Sequence, residues 1–137
     1  MQTARPIQLH RSAPYFPVAD VDLSVADYAR TLGFHVEYSA GSPTQFAIVG
    51  RDGLAIMLRR VADASCIRPN EKQGGTWDVF FWVHGLASLF AELSARGADI
   101  VYGPTVQDAY RMEEFAVRDG DGHVLGFGEQ LTPSPAN

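Results

Sequence analysis

The side chains most often used in catalysis are sparse in this chain. It contains four histidines, His10, His35, His84 and His123, and none is spaced to share a metal ion with another. Cys66 is the single cysteine, and a lone thiol of this kind is more often inert than nucleophilic. The sequence has no nucleophile elbow for a Ser-His-Asp triad and no glycine-rich phosphate-binding motif. No catalytic residue is assigned from these side chains.

Composition and charge exclude several classes of partner. The chain has 137 residues and a net charge of −5, which argues against binding to nucleic acid or to an anionic membrane surface. No run of 18 apolar residues is present, so no membrane span is predicted. One cysteine cannot form an internal disulfide, and a cytoplasmic protein is therefore expected.

Two stretches of the chain repeat in the same order. Phe46-Ala47-Ile48-Val49 precedes Asp52-Gly53, and Phe115-Ala116-Val117 precedes Asp121-Gly122. The offset between the copies is the same for both features (115 − 46 = 69 and 121 − 52 = 69). An Asp-Gly pair between apolar runs is typical of a hairpin turn, so each copy predicts two strands joined by such a turn.

The segments upstream of the two hairpins also match. Each has a short apolar strand and then a helical stripe, which predicts helices over residues 23–32 and 86–96. Gly33 and Gly97 end these helices, and a further strand follows each. The order is therefore β-α-β-β-β twice in an α+β domain, with module one at about 13–60, a linker at 62–76 and module two at about 77–129.

The motifs that carry a family resemblance run through nearly the whole chain. Pro17-Val18-x-Asp20-Val21 leads into Tyr28-x-x-x-Leu32-Gly33-Phe34 in the first half. Met112-Glu113-Glu114-Phe115-x-Val117-x-Asp119-Gly120-Asp121-Gly122 stands in the second half. In this order, and duplicated, they resemble the glyoxalase/bleomycin-resistance (vicinal oxygen chelate) family, and most closely its bleomycin-resistance-like branch.

This resemblance implies a fold, an assembly and a test for a metal. Family members pair two βαβββ modules into a curved, cup-like mixed sheet with helices on the outer face, usually as homodimers. Enzymes of the family bind a divalent metal through His, Glu or Gln at four related positions. Those positions fall here at Ala13, Met57, Asp78 and Gly126. Only Asp78 could bind a hard cation, so neither a metal nor any other cofactor is expected.

Strand alternation predicts the contents of the cup. If the four metal positions point inward, their neighbours two or four residues away on the same strands point inward too. These are Tyr15 on the first strand, Arg59 near Met57, and Phe80 and Trp82 near Asp78. A cup with aromatic rings, one acid and one base suits a flat, partly apolar small molecule with a polar handle. Alternatively, Phe80 and Trp82 fill the cup or a dimer seam. The opposite faces predict as core Phe16, Val18, Ile56, Leu58, Val79, Phe81, Val83, Leu125 and Phe127.

One further segment is a candidate for ligand contact. By the resemblance, the connection that carries Tyr110, Arg111 and Glu113 lies next to the cup. These side chains are predicted either to contact the ligand or to belong to a solvated loop.

Three functions remain open at this level. The first is metal-free binding of a small molecule by a homodimer, of the kind that sequesters an antibiotic. The second is an enzyme, such as a glyoxalase-like lyase, an isomerase or a dioxygenase, which uses a metal or an acid/base pair such as Asp78 with Glu113. The third is an interaction module whose closed cup only stabilises a dimer. The predicted ligand-binding residues are Tyr15, Arg59, Asp78, Phe80, Trp82, Tyr110, Arg111 and Glu113.

Overall fold

The computed structural model describes residues 4–132. The first half contains β1 (Tyr15–Val18), α1 (Val21–Leu32), β2 (His35–Ala40), β3 (Phe46–Arg51) and β4 (Leu54–Arg60). Two short 3₁₀ helices follow, at Ala64–Cys66 and Asn70–Gln73. The second half contains β5 (Val79–Trp82), α2 (Leu86–Ala95), β6 (Asp99–Gln107), β7 (Met112–Arg118) and β8 (Val124–Gln130).

The strands form two four-stranded mixed sheets with the same topology. Sheet one has the order β1-β4-β3-β2 and sheet two the order β5-β8-β7-β6. The first strand of each module is parallel to the last, and the other neighbours are antiparallel. The predicted α+β fold of two βαβββ modules is confirmed.

The helix boundaries follow from capping groups. Helix α1 begins two residues earlier than predicted because the Asp20 side chain accepts a hydrogen bond from the Leu23 N–H at 3.0 Å. It ends at Gly33, whose φ of 70° is left-handed. Helix α2 lacks a local side-chain cap, and Glu129 of β8 instead accepts hydrogen bonds from the N–H groups of Leu86 and Gly85. These two bonds lower the pKa of Glu129.

The helices and the inner faces of both sheets share one hydrophobic core. All nine residues predicted to face the helices belong to this core or pack against it. Phe81, Phe115 and Phe127 stack across sheet two, with 5.4 Å between the ring centroids of Phe81 and Phe127 and 5.1 Å between those of Phe115 and Phe127. Alternation therefore identified the buried face of β1, β4, β5 and β8 correctly.

A buried polar cluster joins the two modules at the turn between β7 and β8. Asp119 accepts a hydrogen bond from the Tyr28 hydroxyl at 2.7 Å and lies 3.0 Å from Nδ1 of His123. Its other carboxylate oxygen accepts the backbone N–H groups of Asp121 and His123. The His123 ring stacks on Phe16 of β1, with centroids 4.2 Å apart. Burial, with the Asp119 charge, raises the pKa of Tyr28 well above its ordinary value.

The strand registers show which residues of the two modules correspond at the last strand. Phe16 of β1 pairs with Leu58 of β4, and Phe81 of β5 pairs with Phe127 of β8. Leu58 and Phe127 therefore occupy equivalent places, and their sequence numbers differ by the predicted offset (127 − 58 = 69). The offset holds for this pair of strands.

The same offset is wrong by one position for β3 and β7. Ala47 pairs with Leu58 and Phe115 pairs with Phe127, so Phe115 corresponds to Ala47 (115 − 47 = 68). Glu114 consequently corresponds to Phe46. The cause is one extra residue in the second hairpin: five residues separate the paired Arg118 and Val124, whereas four separate the equivalent pair Gly50 and Ala55.

Candidate functional site

The sheet surfaces that turn away from the shared core are the places where the sequence predicts ligand contacts. We call them cup face one, on sheet one, and cup face two, on sheet two. Cup face one includes Tyr15, Tyr38, Phe46, Met57 and Arg59. The members of cup face two are Trp77, Phe80, Trp82, Tyr102, Met112, Glu114, Gly126 and Gly128.

Cup face one carries an open row of aromatic rings with one cation. The guanidinium carbon of Arg59 lies 5.5 Å from the centroid of the Tyr15 ring, so the structure brings together two residues that the sequence assigned to the cup. Phe46 contacts Tyr15 on one side and Tyr38 on the other, with centroids 6.2 Å apart in both pairs. Tyr15 and Tyr38 are each more than half exposed. This surface is available for contact with another molecule.

Cup face two carries a tighter aromatic cluster. Phe80 contacts Trp77 at 4.7 Å and Trp82 at 5.2 Å between ring centroids. A Cβ atom at Gly126 would lie 2.6 Å from the Trp77 ring, and one at Gly128 would lie 2.5 Å from Phe80. Two glycines on β8 thus make room for rings that fold down onto the sheet. Trp82 remains 73% exposed.

A buried carboxylate lies within cup face two, and the sequence did not predict it. The Glu114 residue is 1% exposed, and its Oε1 accepts hydrogen bonds from the hydroxyl groups of Tyr102 at 3.0 Å and Tyr110 at 2.9 Å. Trp77 donates its indole N–H to the Tyr102 oxygen at 2.8 Å. Oε2 of Glu114 is buried and has no hydrogen-bond partner among residues 4–132.

Burial also changes the pKa of Tyr102, one of the two tyrosines that donate to this carboxylate. It raises the pKa of Tyr102 from about 10 to about 12, and the Glu114 charge adds to the increase. The hydrogen bond from Trp77 works in the opposite direction. Tyr102 therefore stays protonated at physiological pH and donates to Glu114.

Asp78 has a structural role in the described part of the chain. Its Oδ1 accepts the N–H of Asn70 at 2.9 Å, and its Oδ2 accepts the N–H of Val124 at 2.8 Å. The carboxylate thereby connects the linker with the start of β8. Both oxygens are already used by backbone groups, which reduces their capacity to bind a ligand or metal.

The four positions implied for a metal do not fit one. Met57 offers a thioether, while Ala13 and Gly126 offer no donor. Asp78 is the single carboxylate of the set. Within residues 4–132, no group of three His, Cys, Asp or Glu side chains lies close enough together to hold a metal ion.

The structure places the residues of the predicted connection 110–113 in different environments. Tyr110 reaches Glu114 as described above, whereas Arg111 is exposed and its carbonyl accepts the Leu131 N–H. Glu113 lies within β7, on the side of the strand that carries Phe115 and Val117 into the core, so it faces away from Glu114. Sequence reasoning missed Trp77, Tyr102 and Glu114. The signal that could have found Glu114 is the corrected offset, which aligns it with the cup residue Phe46.

Two cavities of about 500 Å³ each lie apart from the centres of the cup faces. One is a groove between the tip of the β3–β4 hairpin and α2, lined by Arg51, Phe81 and Glu92 among others, with Trp82 at its edge. The second lies beside the start of α1 and includes Asp121. Neither encloses the Tyr15–Arg59 pair or the Glu114 carboxylate.

Comparison with known proteins identifies the family. The model of the Glyoxalase/Bleomycin resistance protein/Dioxygenase superfamily matches residues 9–127, and the chain therefore belongs to that superfamily. No curated protein matches the chain.

No helix among residues 4–132 is both long and apolar enough to cross a membrane.

Solved structures share the fold at low sequence identity. TioX from Micromonospora sp. ML1 is 24% identical, with a TM-score of 0.70 over 89% of this chain and 99% of that one. A bleomycin resistance determinant encoded on the transposon Tn5 is 19% identical, with a TM-score of 0.69 over 90% of this chain and 100% of that one. UcmS2 is 21% identical, with a TM-score of 0.68 over 89% and 98% of the two chains.

Proposed function

We propose that this protein binds a flat, partly apolar small molecule at its cup faces without a metal ion. The observation that carries the proposal is the donor set at the four family positions. Ala13, Met57 and Gly126 lack a hard donor, and the fourth residue, Asp78, accepts hydrogen bonds from two backbone N–H groups. Sequestration of an antibiotic is one form of such binding, and the bleomycin resistance determinant of similar fold makes it a natural candidate.

The exposed rings support binding of a planar molecule. Aromatic side chains offer a large contact area with few rotatable bonds, and Tyr15 and Trp82 each present an exposed ring on a different cup face. Arg59 adds a cation beside Tyr15, and Tyr110 adds a hydroxyl beside Glu114. In this proposal Arg59, Phe80 and Tyr110 contact the ligand together with Tyr15 and Trp82, whereas Asp78, Arg111 and Glu113 contribute less.

A second copy of the chain completes the site in this proposal. Each cup face carries at least one exposed aromatic ring, and exposed apolar surface is typical of an interface. We propose a homodimer in which each chain, with modules at 13–60 and 77–129, acts as one unit. The lone exposed thiol of Cys66 suits a reducing compartment, and the cytoplasm is the proposed location.

Among residues 4–132, no contact supports an acid/base pair of Asp78 with Glu113. Asp78 is engaged with the backbone, and Glu113 lies on the opposite side of β7 from Glu114. An enzymatic function nevertheless remains an outcome that the following experiment can detect.

The experiment is a thermal-shift screen of planar aromatic compounds, with and without a chelator. A bound compound raises the melting temperature by mass action, and the chelator is expected to leave this shift unchanged. Trp82→Ala should weaken binding of the best compound by about 1–3 kcal/mol. Leu23→Ala, which removes an equally exposed apolar side chain from α1, should leave binding as it is.

Two results would contradict the proposal. One is a tightly bound divalent ion in the purified protein together with turnover that a chelator abolishes. The other is equal binding by Trp82→Ala and the parent chain for every compound found. The dimer is checked by light scattering, where the expected mass is twice the 15.0 kDa of the single chain.

A further inference from the structure

We infer that Glu114 is the recognition group for a protonated nitrogen of the ligand, so that the ligand is an organic cation with at least one N–H bond. The inference rests on the proposed function and specifies the polar handle of the bound molecule. It concerns a residue on β7 that lies outside the four positions considered for a metal.

The first support is the unequal use of the two carboxylate oxygens. Oε1 accepts two hydroxyl donors, while Oε2 is buried with no partner among residues 4–132. A buried acceptor without a donor is unfavourable, and more so when it is charged. An N–H group of a ligand would remove this cost.

The second support is the absence of a protein cation beside this carboxylate. The arginines that form ion pairs within residues 4–132 pair with other acids, and no salt bridge in that range includes Glu114. Only neutral hydroxyl groups stabilise its charge. A positively charged ligand group would therefore meet an uncompensated buried anion.

The third support is the aromatic surroundings. Phe80 packs over Gly128, the residue opposite Glu114 on β8, and Trp77 is hydrogen-bonded to Tyr102. Aromatic faces attract cations as well as flat apolar groups, so this cluster suits both parts of such a ligand. Oε2 of Glu114 can accept a hydrogen bond. This favours a primary ammonium or amidinium group, which has N–H bonds, over a quaternary ammonium group, which has none.

Access to Oε2 requires a side chain to move, and Tyr110 is placed to do so. It lies in the turn before β7, it is 43% exposed, and its hydroxyl makes one hydrogen bond to Oε1. Tyr102 is held in addition by Trp77 and is expected to stay. A ligand amine would enter where the Tyr110 side chain now lies.

The test uses matched probes that differ in charge and in N–H content. They are 2-naphthylmethylammonium, its trimethylammonium analogue and the neutral 2-naphthylmethanol, each titrated by calorimetry at pH 7. The intact protein should bind the primary ammonium probe at least about tenfold more tightly than the alcohol. It should bind the trimethylammonium probe several times more weakly than the primary one.

Variants then assign the preference to one carboxylate. Glu114→Gln keeps the shape and removes the charge, and the preference for ammonium over alcohol should fall to about twofold or less. Glu71→Gln, at an exposed acid of the linker that pairs with Arg118, should retain it. If Glu114→Gln does not fold, the three probes on the intact protein decide alone.

The outcomes separate this inference from the proposed function. Equal binding of ammonium and alcohol would overturn the inference and leave metal-free binding of a flat molecule intact. A preference for ammonium that persists in Glu114→Gln would likewise overturn it. Failure of all three probes, together with an empty thermal-shift screen, would reject both.

Discussion

The two cup faces are built on the same strand order and yet have different contents. On β4 of sheet one, Met57 and Arg59 project from the sheet, and Arg59 lies over Tyr15. The equivalent positions on β8 are Gly126 and Gly128, which the strand registers place opposite the same points of the first strand. Cup face one is therefore an open row of side chains. On cup face two, the two glycines leave space above β8, and the rings of Trp77 and Phe80 occupy it.

A second pair of equivalent residues shows the same divergence. Tyr38 pairs with Ile48, and Tyr102 pairs with Ala116, at matching points beside a bulge in β2 and β6. Tyr38 is 55% exposed and contacts Phe46. Tyr102 instead connects Trp77 to the buried Glu114. One tyrosine is free to contact a ligand, and the other organises a buried polar group.

The two modules of this chain have kept the same core while their exposed faces have changed independently. The helix side of both sheets is apolar because it must pack against the helices and the other module. The cup side has no such requirement, so one glycine in place of a larger residue is enough to admit an aromatic ring. The proposed ligand binding uses this less constrained face.

The largest expected effect is a difference in stability between variants of the two hairpin turns. Asp119→Asn should destabilise the protein by about 3 kcal/mol, because an amide group cannot accept all the donors that Tyr28, His123 and the backbone direct at this carboxylate. Asp52→Asn in the shorter turn should change stability by less than about 0.5 kcal/mol, since Asp52 is exposed and Asn also tolerates a positive φ. Urea unfolding measures both, and equal losses would contradict this difference between the turns.

The two equivalent tyrosines provide the next prediction. Tyr102→Phe should cost about 2 kcal/mol, because it removes a hydrogen bond to a buried carboxylate and the acceptor for the Trp77 N–H. Tyr38→Phe should cost less than about 0.5 kcal/mol. The free energy of unfolding of each variant checks the difference, and a loss of similar size at Tyr38 would show that the two positions have not diverged.

A smaller effect is expected where the aromatic rings meet β8. Gly126→Ala should destabilise by about 1–2 kcal/mol, since the added methyl group would push against Trp77 and Phe80. Gly120→Ala is the matched control, because a Cβ there would have only an ordinary contact of 3.7 Å with Asp27. Thermal melts of the two variants compare them, and an unchanged Gly126→Ala would mean that the rings do not pack on β8.

The last expected effect is a dependence of stability on alkaline pH. The pKa of Tyr102 is about 12 in the folded chain and about 10 when unfolded, so its contribution is complete below pH 10. That contribution is lost as the pH rises from about 10 to about 12. Tyr102→Phe should therefore lose less stability than the parent chain over this window.

Urea midpoints at several pH values between 9 and 12 provide this comparison. The chain also contains Tyr28, whose raised pKa acts in the same direction, so the Tyr102→Phe variant should still lose some stability as the pH rises. Identical slopes for the parent and Tyr102→Phe would contradict the role assigned to Tyr102.

The candidate site was predicted only in part, and the reason is local geometry. Alternation along β1, β4 and β5 placed Tyr15, Arg59 and Phe80 on the cup faces, because the register of a strand follows from its apolar residues. Glu114 was missed because the offset for β7 was wrong by one position, which exchanges the two faces of a strand. Asp78 could not be assigned a structural role, since its partners Asn70 and Val124 reach it only through the fold of the linker and the pairing of β5 with β8.

The sequence by itself determined the order of the elements, the duplication and the buried side of β1, β4, β5 and β8. These features follow from the spacing of apolar residues and from the glycines that end α1 and form the turns, and all of that is local. Only the tertiary structure decided that Glu114 is buried beneath tyrosines while one of its oxygens has no partner among the described residues. That arrangement depends on one extra residue in a turn and on rings brought together from β5 and β6, which no local pattern encodes.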